Sequence, residues 1–142
     1  MKKTIKLNRF LLLLISVCTL SLISCDSVTE SLDGDWDPMT WETTVSDIDK
    51  IEVSASGATY TFKCTNYQGF WLSYVYVDGT PIYPSDDVHQ YVGEWATITI
   101  EENVMTVTLS PNESKQSRSL KIDATAGDIF DYFVFTQAGT QE

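Results

Sequence analysis

Along most of this 142-residue chain apolar residues return at every second position, a period that predicts strands rather than helices. Ile51 and Val53 open the series in a short strand closed by Ser56-Gly57. Tyr60, Phe62 and Cys64 then alternate with Thr59, Thr61 and Lys63, as in a half-buried strand. Residues 70–77 are apolar in both phases: Phe70, Leu72, Tyr74 and Tyr76 against Trp71, Val75 and Val77. Such a strand is central, or has its second face covered. Asp78-Gly79 ends it. Ala96, Ile98 and Ile100 alternate with threonines, and a tight turn at Glu102-Asn103 leads into Met105, Val107 and Leu109 to make a hairpin. After further turns come Arg118, Leu120 and Ile122, and finally Phe133, Phe135 and Gln137. About seven short strands at this spacing predict an all-β sandwich.

The first 24 residues break this pattern. Lys2, Lys3, Lys6 and Arg9 precede an unbroken apolar or small run over 10–24, which has the size of a secretory h-region and is too short to span a bilayer. The run ends in Leu22-Ile23-Ser24-Cys25, which resembles the bacterial lipobox. The resemblance implies a diacylglycerol thioether on Cys25 and cleavage just before it, so that acyl chains hold the protein on a membrane. The chain divides accordingly into a lipoprotein signal peptide (1–24), a lipidated acidic tether (25–39) and a β-sandwich domain (40–142). Asp33, Asp35 and Asp37 share the spacing of a calcium loop. Its glycine stands second and its twelfth position is Thr44, so the run reads as solvated tether. With Cys18 removed and Cys25 lipidated, Cys64 is left alone, in phase with Tyr60 and Phe62. It reads as a small buried hydrophobe, and no intramolecular disulfide is expected.

Without the signal, five basic residues face twenty acids, a formal charge of −15. That excludes nucleic acid as a partner and electrostatic docking on anionic lipid. Nothing points to an enzyme. The single histidine, His89, falls in a loop, and metal-ligand spacing, a nucleophile elbow and a phosphate-cradling glycine loop are all missing. No cofactor is implied. Aromatic residues carry more information: Tyr67, Phe70, Trp71, Tyr74, Tyr76, Tyr83, Tyr91 and Trp95 fall within 29 residues. A flat ring can stack on the C–H face of a pyranose while carboxylates and amides take its hydroxyls. The long aperiodic segment 78–95 supplies both kinds of group, so Tyr83, Tyr91, Trp95, Asp86 and Asp87 are the candidate ligand-binding residues. Phe70, Trp71 and Leu72 are expected in the core. The segment is expected to fold back beside strand 70–77 and leave a shallow groove with Tyr83, Tyr91 or Trp95 at its rim.

Residues Val107-Thr108-Leu109-Ser110-Pro111-Asn112, the strand Arg118-Ser119-Leu120-Lys121-Ile122 and the terminal Phe133-Val134-Phe135-Thr136-Gln137-Ala138-Gly139 together resemble the BACON domain. The step Ser56-Gly57-Ala58-Thr59-Tyr60 is similar to that family's early strand. The resemblance implies an immunoglobulin-like β-sandwich from a Bacteroidota surface protein, one that binds carbohydrate or mucin or acts as a spacer. Joined to the lipobox, it gives the expectation of a non-catalytic, outer-membrane-anchored lipoprotein, on the cell surface or the periplasmic face, whose domain binds a glycan. The other reading is a structural accessory subunit or protein-interaction module of a surface complex.

Overall fold

The structure is a computed structural model that describes residues 36–141. The expected signal peptide, Cys25 and the expected tether up to residue 35 lie outside the described residues. Ten strands follow: β1 (Trp41–Glu42), β2 (Ile51–Val53), β3 (Ala58–Cys64), β4 (Trp71–Val77), β5 (Thr80–Ile82), β6 (Gln90–Val92), β7 (Ala96–Glu101), β8 (Val104–Leu109), β9 (Arg118–Thr125) and β10 (Phe130–Gln137). Seven of these are the strands that alternation predicts. The other three, β1, β5 and β6, are two or three residues long and, unlike Ile51–Val53, hold no pair of apolar residues at alternate positions.

Two five-stranded sheets face each other. The first has the order β1-β3-β8-β7-β6 and the second β2-β10-β9-β4-β5. All pairings are antiparallel except β2 with β10, where Ile51 lies beside Phe135. Inward positions of both sheets make one core: Phe62, Ile98, Met105 and Val107 meet Leu72, Val75, Leu120, Ile122, Phe133 and Phe135. Cys64 belongs to it, fully buried. Trp41 bridges the sheets, edge-on to Phe70 at 5.1 Å and Phe133 at 4.9 Å, with its indole N–H donating to Asp131 at 2.7 Å. Packing starts before residue 40: Met39 is buried, and the carbonyls of Asp37 and Pro38 accept bonds from Tyr67 and Asn66.

The turns follow from local chemistry. Asp78 (φ 47°) and Gly79 (φ 80°) both occupy the left-handed region, giving a two-residue hairpin that matches strand twist between β4 and β5. Gly57 (φ 76°) lies against the Leu109 carbonyl, where a side chain would collide with backbone.

Strand β4 departs from simple alternation. Its register against β9 shifts between Leu72 and Tyr74, so Ser73 is an extra residue and the phase reverses there. Leu72, Val75 and Val77 therefore turn inward, while Trp71, Tyr74 and Tyr76 turn outward. Trp71 is 39% exposed rather than in the core, because it pairs with Thr125 on the outer face; Phe70 and Leu72 are buried.

Candidate ligand-binding face

The two outer faces differ in chemistry. On the first sheet the outward positions of β3, β8 and β7 align as rows Thr59–Thr108–Thr97 and Thr61–Thr106–Thr99. With the row Lys63–Val104–Glu101 beyond them, they make a water-facing surface of mostly threonine. On the second sheet the rows running across β4, β9 and β10 are Trp71–Thr125–Phe130, Tyr74–Asp123–Tyr132 and Tyr76–Lys121–Val134. The hairpin to β5 adds Tyr83, whose ring lies 5.7 Å from that of Tyr74; Tyr74 lies in turn 6.1 Å from Tyr76. Five of these aromatics stand in solvent: Trp71 at 39%, Tyr74 at 42%, Tyr132 at 44%, Phe130 at 53% and Tyr83 at 58%. A contiguous aromatic patch of this kind is uncommon on a surface with no partner.

A charged pair sits in the middle. Lys121 and Asp123 are two apart on β9 and point the same way, with Nζ 2.8 Å from Oδ1. The Lys121 ammonium also lies 4.8 Å from the Tyr76 ring centroid and 4.5 Å from that of Tyr132. The close Asp123 carboxylate holds its pKa above the ordinary lysine value, with burial opposing. Burial pushes the Tyr76 phenol up, Asp123 adds to this, and Lys121 opposes it. At neutral pH the centre thus offers an ammonium and a phenol as donors and a carboxylate as acceptor.

Of the five candidate ligand-binding residues named from the sequence, only Tyr83 joins this face. Tyr91, on β6, and Trp95, just before β7, are partly buried against the core. With Val77, Ile82, Glu94 and Ala96 they enclose a slot of about 110 Å³. Burial raises the Tyr91 phenol, with Glu94 adding. Trp95 is capped by the Arg118 guanidinium at 4.2 Å. Asp87 shapes its own loop, its Oδ1 accepting from the His89 amide at 2.8 Å, and Asp86 accepts from Ser85 at 3.5 Å. Tyr83 therefore stands on the aromatic face, apart from Tyr91 and Trp95, which border the slot instead. Segment 78–95 does return past β4, since the Leu72 amide donates to Val88 at 2.8 Å. It then crosses to the other sheet and takes Tyr91 and Trp95 with it.

A wider depression of about 520 Å³ borders Trp95, the β8–β9 loop and Arg118. Two of its polar side chains, Arg118 and Asn112, are already bonded within the fold. Arg118 donates to Gln137 at 2.9 Å and to the carbonyls of Ser110 and Pro111, and Asn112 bonds to Gln116, Ala138 and Ser114. The aromatic face, shallow as it is, presents rings with free surface and is the better site. Phe130, Tyr132, Lys121 and Asp123 were not singled out from the sequence. The available signal was the outward phase of β9 and β10, which carries rings and charges where β3, β7 and β8 carry threonine.

The connectivity defines the class. β1, β3, β8 and β7 follow the order of one immunoglobulin sheet, and β10, β9 and β4 that of the other, with β5 as an added edge. The protein is an immunoglobulin-like β-sandwich. Among solved structures it is similar to one described as the NMR structure of a protein from Bacteroides thetaiotaomicron, with 32% identity, a TM-score of 0.73, and 83% of this chain and 99% of that one covered. The chain belongs to the same family as that protein. It is also similar to the M1 domain from titin, with 13% identity, a TM-score of 0.48, and 75% of this chain and all of that one covered. No family model matches the sequence, and no curated protein matches it.

Proposed function

We propose that this protein is a non-catalytic lipoprotein whose domain binds a glycan on the outer face of the second sheet. The observation that carries the reading is the contrast between the two outer faces: threonine rows on one, six aromatic side chains around a charged pair on the other. Outward strand positions that need only face water are filled as on the first sheet. Exposed rings lower solubility and are retained where they contact something. Stacking suits ligands with an apolar face, and a platform of several rings suits an extended chain better than a small molecule enclosed in a pocket. The lipobox residues Leu22 to Cys25 support anchoring to the outer membrane, and the acidic tether would carry the domain clear of it. His89, held in a turn by Asp87 with its side chain in solvent, supports a non-catalytic reading.

Trp71→Ala and Tyr74→Ala should each weaken polysaccharide binding at least about tenfold, a loss of ~1.4 kcal/mol or more. Their unfolding midpoints should stay near that of the parent, because both rings are partly in solvent. Affinity electrophoresis through gels cast with polysaccharide reads the first quantity and thermal denaturation the second. Cys25→Ser should move the protein from the membrane to the soluble fraction, since a serine hydroxyl cannot carry the thioether lipid. Unchanged partition of that variant would remove the anchor from the account.

A further inference from the structure

We propose that the Lys121–Asp123 pair is the polar contact of this face, bonding the hydroxyls of an uncharged pyranose, and that the face selects neutral over anionic glycans. The inference rests on the aromatic face being the glycan site, and it names the ligand chemistry that the face accepts. Asp123 projects from the outer side of a central strand, where a carboxylate would ordinarily be hydrated, yet it is only 8% exposed. Tyr74 and Tyr132 flank it in its own row. Holding an ion pair in such surroundings is not a favourable way to stabilise a sheet; apolar residues of similar volume commonly serve as well or better. The equivalent positions of the first sheet are served by threonine.

Asp123 Oδ1 is sealed, so the pair is open to a ligand through Lys121 and the remaining 12% of the Asp123 side chain. The Lys121 side chain is 39% exposed, and one contact to Asp123 leaves its ammonium with two further protons to donate. A carboxylate accepts several hydrogen bonds. An ammonium beside a carboxylate matches a hydroxylated ring, whose adjacent hydroxyls can accept from one and donate to the other while its C–H face lies on a neighbouring tyrosine. A cationic ligand is excluded, because the place over Tyr76 and Tyr132 is already filled by Lys121. An anionic ligand finds no net positive charge: the three rows hold one cation and one anion. Residues 36–141 as a whole carry five basic and fifteen acidic side chains. The face is a neutral island on an anionic domain, and the surrounding field repels sulfated or uronic-acid chains.

The test uses Lys121→Met/Asp123→Leu, which removes both charges together and leaves neither buried alone. Wild type and variant are run by affinity electrophoresis against two neutral polysaccharides, a mixed-linkage β-glucan and a mannan, and two anionic ones, polygalacturonate and chondroitin sulfate. The expected result is binding to a neutral chain and not to the anionic ones, nearly unchanged between about 0.01 M and about 1 M salt. The double variant should bind about tenfold more weakly while unfolding at the parental midpoint. Wild-type affinity in the double variant, with binding still lost in Trp71→Ala, would overturn the role of the pair and leave the aromatic face standing. Preference for an anionic chain, weakened by salt, would overturn the selectivity. Failure of all four polysaccharides to bind would overturn the glycan reading together with this inference.

Discussion

Gln137 is the residue on which one end of the sandwich depends. It is buried to 1% exposure at the close of β10, and its amide nitrogen lies within bonding distance of the carbonyls of Ser54, Ala55 and Ser110 at 3.2, 3.4 and 2.9 Å. Its Oε1 accepts from Arg118 Nε at 2.9 Å, and Arg118 holds the β8–β9 loop through Ser110 and Pro111. Gln137→Leu keeps the volume but strips part-buried Arg118 Nε of its acceptor and removes one donor from each carbonyl, which keep the Gly57 amide, the Asn112 amide and Arg118 Nη2. It should cost about 1–3 kcal/mol, read as a lower urea midpoint with unchanged slope. A midpoint equal to the parent's would show that water replaces the amide. Lys121 gives a residue-scale prediction in pH. Its pKa is raised in the folded state, so its contribution is fully present below the unfolded value of about 10.4 and fades as pH rises through the higher folded value. The Tyr76 phenol, also raised, adds to the same alkaline loss above about 10. Stability measured at pH 9 and pH 11 should fall, and Lys121→Met/Asp123→Leu should fall less. An equal fall in both would mean that the alkaline loss comes from other groups.

At the scale of elements, β10 shows how one strand serves two purposes. Phe133 and Phe135 point into the core, Phe133 meeting Phe62 at 4.7 Å and Trp41 at 4.9 Å, while Phe130 and Tyr132 face outward. Phe133→Ala should therefore cost about 3–5 kcal/mol through the cavity it leaves. Loss of less than about 1 kcal/mol would contradict the packing of that face. The inward half of β10 was legible in the sequence because Phe133, Phe135 and Gln137 keep strict period two. The outward half was not, since it becomes meaningful only when β9 and β4 bring Asp123, Lys121 and Tyr74 alongside. Strand β4 was legible as a strand with two apolar faces, but not in its phase. One extra residue, Ser73, reverses alternation mid-strand, and a two-residue period cannot reveal that without the register against β9. The same limit explains the split of the candidate residues. Tyr83, Tyr91 and Trp95 are close in sequence, yet two three-residue strands that alternation could not detect assign them to different sheets.

For the molecule as a whole, charge and shape point the same way. An anionic domain with one aromatic face of no net charge repels polyanions and offers dispersion and stacking in one place. The edges support this division. β1, β2, β5 and β6, which end the two sheets, are two or three residues long and give little template for pairing with another chain. The proposed ligand contact is accordingly assigned to the face rather than the rim. The central claim is that ligand contact is confined to the outer face of the second sheet, and a titration comparing the two faces tests it most directly. Neutral polysaccharide is titrated into the parent, into Trp71→Ala/Tyr74→Ala, and into Thr61→Val/Thr99→Val on the opposite sheet, with heat of binding as the readout. The account predicts a binding isotherm for the parent and the threonine variant and its loss in the aromatic variant. Equal heats from all three proteins, or loss in the threonine variant alone, would contradict it.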